Sequence, residues 1–277
     1  MYSLLVLKLR SYLAIWSMLA GVYVLALLLG LGYIHLPSLR RTRKTMVWAA
    51  WSPPDPDTIS AGPASDSIHY GMQLFNNTPW YARQYTGSKL TCSDCHIEGG
   101  IAPHAIPMVG LPRLFPMYSK RAHRFISLKD RIQECFTRSE NGRPLPYDSR
   151  EMNALVAYLQ WLSQPEPTRK PFSGRGLIAL PPLRPDPKHG AQIYAAQCAG
   201  CHGEDGAGSL PLMPPLWGPD SFNDGAGMSH ISKMAPFVRY NMPQNRRGIL
   251  SAQDAYDASA YIETKPRPAF NPAYKKY

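Results

Sequence analysis

The pentapeptide Cys92-Ser-Asp-Cys95-His96 has the pattern C-x-x-C-H, and this pattern recurs as Cys198-Ala-Gly-Cys201-His202. It is the attachment signature of a c-type haem. The two cysteines form thioethers to the porphyrin, and the histidine takes one axial position on the iron. The sequence therefore predicts two covalently bound haem c groups. The two motifs use four of the five cysteines and leave Cys135 over.

An uncharged stretch of 25 residues, 12–36, lies near the beginning of the chain. About 20 apolar residues suffice to cross a bilayer, whereas the apolar part of a cleaved signal is about 7–15 residues long. Haem c is attached only after export, so both motifs belong outside the cytoplasm. We therefore predict a membrane anchor and linker in residues 1–50. This single anchor would hold the haem domains in the periplasm, at the bacterial inner membrane.

The formal net charge of +11 is unevenly distributed along the chain. Six of the 30 Lys and Arg residues and none of the 19 Asp and Glu residues fall within residues 1–44, so the remainder carries only +5. Haem propionates would lower that value further. We therefore predict no nucleic-acid binding. The mild positive charge of the remainder suits an anionic substrate or an acidic redox partner.

An internal repeat surrounds the two motifs. In each copy a glycine is followed four residues later by an aromatic residue, Gly71 by Phe75 and Gly190 by Tyr194. Apolar residues around the first pair have helical spacing. The haem motif follows in both copies, and then come a proline-containing turn, a serine cap and a closing helix. This order is that of the small helical fold of class I cytochromes c.

The repeat predicts a mostly α fold, with two class I cytochrome c domains in tandem behind an N-terminal transmembrane helix. The closing helices are expected at residues 151–161 and 254–262. We place the first domain, with the first haem, at residues 51–165 and the second, with the second haem, at residues 189–277. Residues 166–188 are rich in proline and read as a stiff, extended linker.

The second haem needs a sixth ligand, and Met242 is the leading candidate. Met242 precedes Pro243 about 40 residues after His202, at the usual Met-Pro position of these cytochromes. The competing residues are Met213, Met228, Met234 and His230. Alternatively, Met242 only packs in the core, as methionines commonly do.

In the first copy, the position that corresponds to Met242 is occupied by Leu145, which cannot bind iron. Cys135 lies 39 residues after His96 and has no cysteine to pair with. The other possible ligands are Met108, Met117, Met152, His104 and His123. Cys135 therefore either binds the first iron or is a buried, inert thiol.

Cys135 lies on a predicted helix with a distinct polar face. Ser127 and Asp130 form an S-x-x-D capping box, so a helix is expected to begin there. Arg131, Cys135 and Ser139 then follow at i, i+4 and i+8, on one face. That face presents a guanidinium, a thiol and a hydroxyl to one space. In the alternative interpretation, Arg131 pairs with a haem propionate or is solvated.

Thiolate and methionine ligands would give the two haems different potentials. Axial ligands move the haem potential over a range of about 0.8 V. An anionic thiolate stabilises ferric iron, whereas methionine raises the potential. A low-potential haem beside reactive sulfur, in series with a higher-potential haem, suits a site that takes electrons from a substrate.

Residues 92–161 resemble the thiosulfate dehydrogenases, dihaem c-type enzymes that couple two thiosulfates into tetrathionate. The matching runs include C-S-D-C-H-I-E-G-G from Cys92 and L-K-D-R-I-Q-E-C-F-T-R-S-E-N-G-R-P-L-P from Leu128. They also include P-M-Y-S-K-R, which ends at Arg121, and D-S-R-E-M-N-A-L-V-A-Y-L-Q-W-L from Asp148. An ordinary cytochrome c has no reason to carry the run from Leu128. The second haem domain matches more generically, and the resemblance as a whole covers roughly residues 65–270.

The resemblance implies roles for particular residues. The active-site haem would be bound by His96 and Cys135, and Met242 falls in the ligand region of the relay haem, opposite His202. Thiosulfate binding is implied for Arg121, Arg131 and Ser139.

The leading function is therefore a thiosulfate dehydrogenase that forms tetrathionate, in a reaction that is chemically reversible. A soluble cytochrome c or another periplasmic redox protein would accept the electrons. The alternative is a membrane-anchored dihaem electron-transfer subunit of a respiratory complex, like that of a cbb3-type oxidase. Such a subunit needs neither a substrate pocket nor Cys135.

Overall fold

The computed structural model describes residues 16–24, 54–59, 61–164, 172, 174–209 and 213–276. The chain divides into two compact units, Met1–Val47 and Trp48–Tyr277. In the first unit, residues 16–24 are helical and exposed, and the remainder of the span predicted at residues 12–36 lies outside the described residues. Among the residues that are described, no helix is both long enough and apolar enough to cross a membrane. The predicted transmembrane helix is thus not found there.

The second unit is mostly helical. Its first part contains α1 Pro63–Asn76, α2 Thr78–Tyr81, α3 Cys92–Cys95, α4 Ile97–Gly100, β1 Met117–Ser119, β2 Arg124–Ile126, α5 Leu128–Arg138 and α6 Arg150–Leu162. Its second part contains α7 Pro187–Gln197, α8 Ala199–His202, α9 Ile231–Asn241 and α10 Ala252–Glu263. The two strands form an antiparallel hairpin in which Tyr118 is opposite Phe125. The predicted closing helices correspond to α6 and α10.

The repeated glycines lie where the first and last helices of each domain cross. A Cβ atom on Gly71 of α1 would lie 2.0 Å from the backbone oxygen of Ala154 on α6. A Cβ atom on Gly190 of α7 would lie 1.9 Å from the backbone oxygen of Asp257 on α10. No real side chain tolerates such a distance, so only glycine permits this close packing. The same requirement at both crossings explains why the glycine recurs.

Serine caps begin three of the helices that follow the haem motifs. Ser127 accepts from the backbone N–H of Asp130 at the start of α5, and the Asp130 carboxylate accepts in return from the N–H of Ser127. Ser149 caps α6 by accepting from the N–H of Met152. A further capping box joins Ser251 and Asp254 at the start of α10. These contacts satisfy N–H groups that have no partner inside a helix.

Each domain has its own apolar core, and a smaller cluster joins the two. The first core centres on residues from α1, α5 and α6, among them Leu74, Phe136 and Met152, whose side chains are almost fully buried. The second is built around Tyr194 and Trp217. Residues of both domains meet in the joining cluster of Ile97, Ala102, Ala105 and Phe237, against which Leu177, Met228 and Met242 pack.

Described residues of the predicted linker lie against the first domain. Phe172 is buried in the first core. The backbone oxygen of Gly174 accepts from the N–H of His104 at 2.7 Å. Phe172 and Gly174 are therefore packing elements of the first domain. At the other end of the predicted linker, Asp186 caps α7, and the last two linker residues belong to that helix.

Candidate active site

A cavity of about 470 Å³ lies in the first domain and contains the first haem motif. Cys92, Cys95 and His96 line it together with Cys135. Its other polar lining residues include Arg121, Arg131, Ser139, Glu134 and Glu140. The structure thus brings every residue predicted for the first haem and its substrate to one space.

Contacts hold the start of α3 and orient the side chains of Cys92 and His96 in the haem motif. Thr91 and Asp94 form a capping box at the start of α3, with the Thr91 N–H donating to the Asp94 carboxylate at 2.7 Å. The sulfur of Cys92 lies 3.3 Å from the hydroxyl oxygen of Thr78. His96 donates from Nδ1 to the backbone oxygen of Ile106 at 2.6 Å.

The hydrogen bond of His96 selects the ring nitrogen that can bind metal. A carbonyl oxygen only accepts, so Nδ1 carries the proton and Nε2 keeps its lone pair for the iron. Burial lowers the pKa of His96 to about 4, so the ring is neutral at pH 7. A neutral imidazole with a free Nε2 is the form that an axial ligand requires.

Helix α5 presents Arg131, Cys135 and Ser139 to the cavity, as the i, i+4, i+8 spacing predicted. Burial raises the pKa of the Cys135 thiol, and the nearby Arg131 guanidinium opposes that rise. Ser139 is the residue at which the helix ends. A cation and a hydroxyl therefore border the sulfur that faces the haem motif.

Arg121 reaches the same cavity from a different element. It follows β1 at the turn of the hairpin, and its side chain is exposed. Met117, Tyr118, Ser119 and Lys120 of the hairpin also line the cavity. The hairpin thus supplies two further positive charges, Lys120 and Arg121, to a site whose first is on α5.

Two acidic residues in the cavity were missed by the sequence analysis. Glu134 is 2% exposed and pairs through Oε2 with Nη1 of Arg131, while its Oε1 has no hydrogen-bond partner among the described residues. Glu140 is also 2% exposed and accepts from Ser88 at 3.4 Å. Burial, with a smaller contribution from the charge of Asp94, raises the pKa of Glu140 well above its usual value. The i, i+3 spacing of Arg131 and Glu134 was the available signal for the first.

The competing ligands of the first haem fall into two groups. Met108 and Met117 line the cavity, so their position is compatible with ligation. Met152, on the closing helix α6, is completely buried in the core of the domain. His104 and His123 are not among the residues that line the cavity.

The second haem motif repeats the geometry of the first. His202 is buried and donates from Nδ1 to the backbone oxygen of Pro214 at 2.9 Å, which again leaves Nε2 for metal. Burial lowers the pKa of His202 as well. Cys198 is partly buried and Cys201 is exposed. This donor set fits a second haem.

Met242 directly follows α9 and is partly buried between the second core and the joining cluster. Among its competitors, Met234 is buried in the second core. Met228 lines the cavity of the first domain. His230 is exposed at the start of α9, and Met213 pairs with Ser209 in an isolated β-bridge. Ligation of the second iron by Met242 remains a prediction.

Two helical domains, each with a C-x-x-C-H motif whose histidine keeps Nε2 available for iron, define a c-type cytochrome. The first domain adds a charged cavity that electron transfer alone does not require.

Comparisons with known proteins identify the family. The family model described as SoxA/TsdA, cytochrome c domain, matches residues 77–168. The model described as cytochrome C oxidase, cbb3-type, subunit III, matches residues 185–262.

Among the relatives is the thiosulfate dehydrogenase of Stutzerimonas stutzeri, 39% identical over 79% of this chain and 73% of that protein. The thiosulfate dehydrogenase of Allochromatium vinosum is 40% identical over 76% of this chain and 81% of that protein. The chain therefore belongs to the thiosulfate dehydrogenase family, a family of oxidoreductases, and the predicted resemblance is confirmed.

A solved structure agrees with the fold. The thiosulfate dehydrogenase TsdBA from Marichromatium purpuratum, in its as-isolated form, superposes with a TM-score of 0.75 at 34% identity. The match covers 79% of this chain and 50% of that one, so this chain corresponds to half of the solved protein.

Proposed function

We propose that this protein oxidises two thiosulfate ions to one tetrathionate ion and passes the two electrons released through two c-type haems to an external acceptor. The observation that carries this proposal is the shared cavity of His96, Cys135, Arg121, Arg131 and Ser139. The names of the relatives support the choice of substrate.

The charges of the cavity suit a small sulfur dianion. Arg121 and Arg131 approach it from the hairpin and from α5, so two cations can face one anion. Hydrogen bonds to charged groups contribute about 1.5–3 kcal/mol each. Ser139 would add a hydroxyl donor beside them. Two sites of positive charge would also offset the repulsion between two dianions that must meet for a sulfur–sulfur bond to form.

Cys135 would act at the junction of haem and substrate. When bound, the haem supplies the acceptor for electrons leaving the substrate sulfur. Cys135 and His96 would together hold the haem iron, and the Cys135 sulfur would keep water from it. Its sulfur would lie within the same space as the substrate anion.

The second domain would carry electrons away from the first. Its haem would be bound by Cys198, Cys201 and His202, with Met242 as the sixth ligand. The packing of Phe237 and Met242 against Ile97 and Ala102 supports this, because it brings the two haem domains into direct contact. A soluble cytochrome c or another periplasmic protein would be the acceptor.

A second candidate is a membrane-anchored electron-transfer subunit of a respiratory complex. The match of residues 185–262 to a cbb3-type oxidase subunit favours it. That match covers the second domain alone, and such a subunit leaves the charged cavity without a role. The dehydrogenase is therefore the better proposal.

We also propose that the haem domains lie in the periplasm, held at the inner membrane by the uncharged residues 12–36. Haem c attachment and the length of that stretch support this location. The protein should then fractionate with membranes and resist a high-salt wash. Recovery as a soluble periplasmic protein with a new N-terminus near residue 50 would contradict it.

A steady-state assay with thiosulfate and a one-electron acceptor tests the proposed reaction. We expect acceptor reduction to require thiosulfate and to yield one tetrathionate for each two electrons. If the holoprotein exchanges electrons with a cytochrome c but does not oxidise thiosulfate, the electron-transfer subunit becomes the better interpretation.

A further inference from the structure

We infer that the second domain completes the substrate site of the first domain, with Asn223 as the positioning residue; this inference rests on the proposed oxidation of thiosulfate. Asn223 belongs to the loop before α9, yet it contacts the end of α5, the helix that presents Cys135 and Ser139 to the cavity.

The end of α5 has backbone oxygens that need partners, because the last four carbonyls of a helix have none inside it. The oxygens of Cys135 and Phe136 accept from N–H groups of the residues that follow in the same domain, Glu140 and Gly142. The next oxygen, that of Thr137, accepts from Nδ2 of Asn223 at 2.9 Å. The first domain thus satisfies only part of this helix end by itself.

Asn223 makes further contacts that fix its position. Its backbone N–H donates to the oxygen of Arg138 at 3.2 Å. Its Nδ2 also donates to Oδ1 of Asn141 at 3.1 Å, and its own Oδ1 accepts from the N–H of Gly225 at 3.1 Å. Asn223 is 1% exposed, so water does not compete for these bonds. The amide therefore acts as a rigid brace between the two domains.

The same loop forms part of the cavity wall. Phe222, Ala226 and Met228 line the cavity that holds Cys135 and Arg131. One loop of the second domain consequently covers the substrate space and braces the helix that carries its functional groups. Loss of the brace should let the end of α5 move, and with it Ser139 and Cys135.

The test compares two full-length variants that each lose an interdomain contact. Asn223→Leu removes the brace and keeps a side chain of similar size. Lys89→Gln is the matched control, because Lys89 forms an exposed interdomain ion pair with Asp220, at 2.6 Å, and is not in the cavity lining. Both proteins are prepared with their haems attached. The measurements are kcat/KM for thiosulfate and the electron paramagnetic resonance of the ferric first haem.

We expect kcat/KM of Asn223→Leu to fall between about tenfold and about 100-fold, since a displacement of about 1 Å in a site costs about that much. The g-values of the first haem should shift, because the ligand helix is no longer held. Lys89→Gln should resemble the wild type in both measurements. The inference is overturned if Asn223→Leu keeps the wild-type rate and signal, or if Lys89→Gln loses as much.

Two provisions keep the test decisive. If Asn223→Leu does not fold, Asn223→Asp replaces it, because aspartate keeps the shape and the acceptor for Gly225 and puts a negatively charged acceptor in place of the Nδ2 donor to Thr137. If the wild type does not oxidise thiosulfate, the proposed function fails, and the resonance signals of the variants still decide whether Asn223 positions α5.

Discussion

Arg131→Gln should lower kcat/KM for thiosulfate by about tenfold to about 200-fold. Arg131 is the cation on the helix face of Cys135, one turn before it. A charged hydrogen bond to the substrate contributes about 1.5–3 kcal/mol, and each 1.36 kcal/mol corresponds to a factor of about ten in rate. Glutamine lacks both the charge and the forked donors of the guanidinium, so the substitution removes the charged hydrogen bond and keeps a polar side chain.

Arg131→Gln is also expected to lower the stability of the fold, and the experiment must distinguish this effect from the effect on activity. Glu134 is 2% exposed, and Arg131 is its partner. Removing one member of a fully buried pair costs about 3–5 kcal/mol, and less is expected here because the Arg131 side chain is 46% exposed. The double variant Arg131→Gln with Glu134→Gln removes both charges. Its stability should therefore recover, whereas its kcat/KM should remain low.

Steady-state kinetics and thermal unfolding of the holoproteins measure both effects. Arg83→Gln serves as the control, because Arg83 is an exposed arginine of the same domain that does not line the cavity. It should retain kcat/KM within a factor of about two. If Arg131→Gln also stays within that factor, Arg131 does not bind the substrate and serves only Glu134, a propionate or solvent.

Three further predictions concern the haems and the second domain. Cys135→Met should keep both haems attached but lose the low-spin thiolate signal. The potential of the first haem should rise, and the rate of thiosulfate oxidation should fall by orders of magnitude. A wild-type rate would show that thiolate chemistry is not needed. Met242→Leu should remove the near-infrared methionine–ferric band and lower the second haem's potential, whereas an unchanged spectrum would assign another ligand. His189 donates a hydrogen bond to the Asp257 carboxylate at 2.8 Å, and this bond raises the pKa of His189. Burial of Asp257 raises its pKa, but the hydrogen bonds that it accepts, first that of His189, outweigh burial and lower it. Wild type should be more stable than His189→Gln, and the difference should be largest between pH 3.8 and pH 6.5, the ordinary pKa values of aspartate and histidine. It should fade as pH rises through the raised pKa of His189 or falls through the lowered pKa of Asp257, so equal unfolding temperature differences at pH 5 and pH 9 would contradict the pairing.

Much of the site could be predicted because its signals are local. The capping box of Ser127 and Asp130 fixes where α5 begins, and the 3.6-residue period then places Arg131, Cys135 and Ser139 on one face. The structure confirms that placement. The recurrence of Gly71 as Gly190 likewise predicted a repeated helix pair, although only the structure shows that both glycines lie at a helix crossing.

Other features depend on residues that are distant in sequence. Spacing can place Glu134 near Arg131, but it does not show that Glu134 is 2% exposed, because burial depends on what packs over the helix. Met228 was considered as a ligand of the second haem, yet it lines the cavity of the first domain. Sequence spacing measures distance along one chain segment and carries no information on how two domains pack.

By itself, the sequence determined the haem attachment sites, the tandem helical domains and the helix face that carries Cys135, since each follows from covalent chemistry or from the period of a helix. The tertiary structure alone decided that the second domain reaches the first domain's site. Asn223 and Thr137 are 86 residues apart along the chain and hydrogen-bonded in space. Such a contact depends on the burial of apolar surface between the domains, which brings together groups that no local pattern relates.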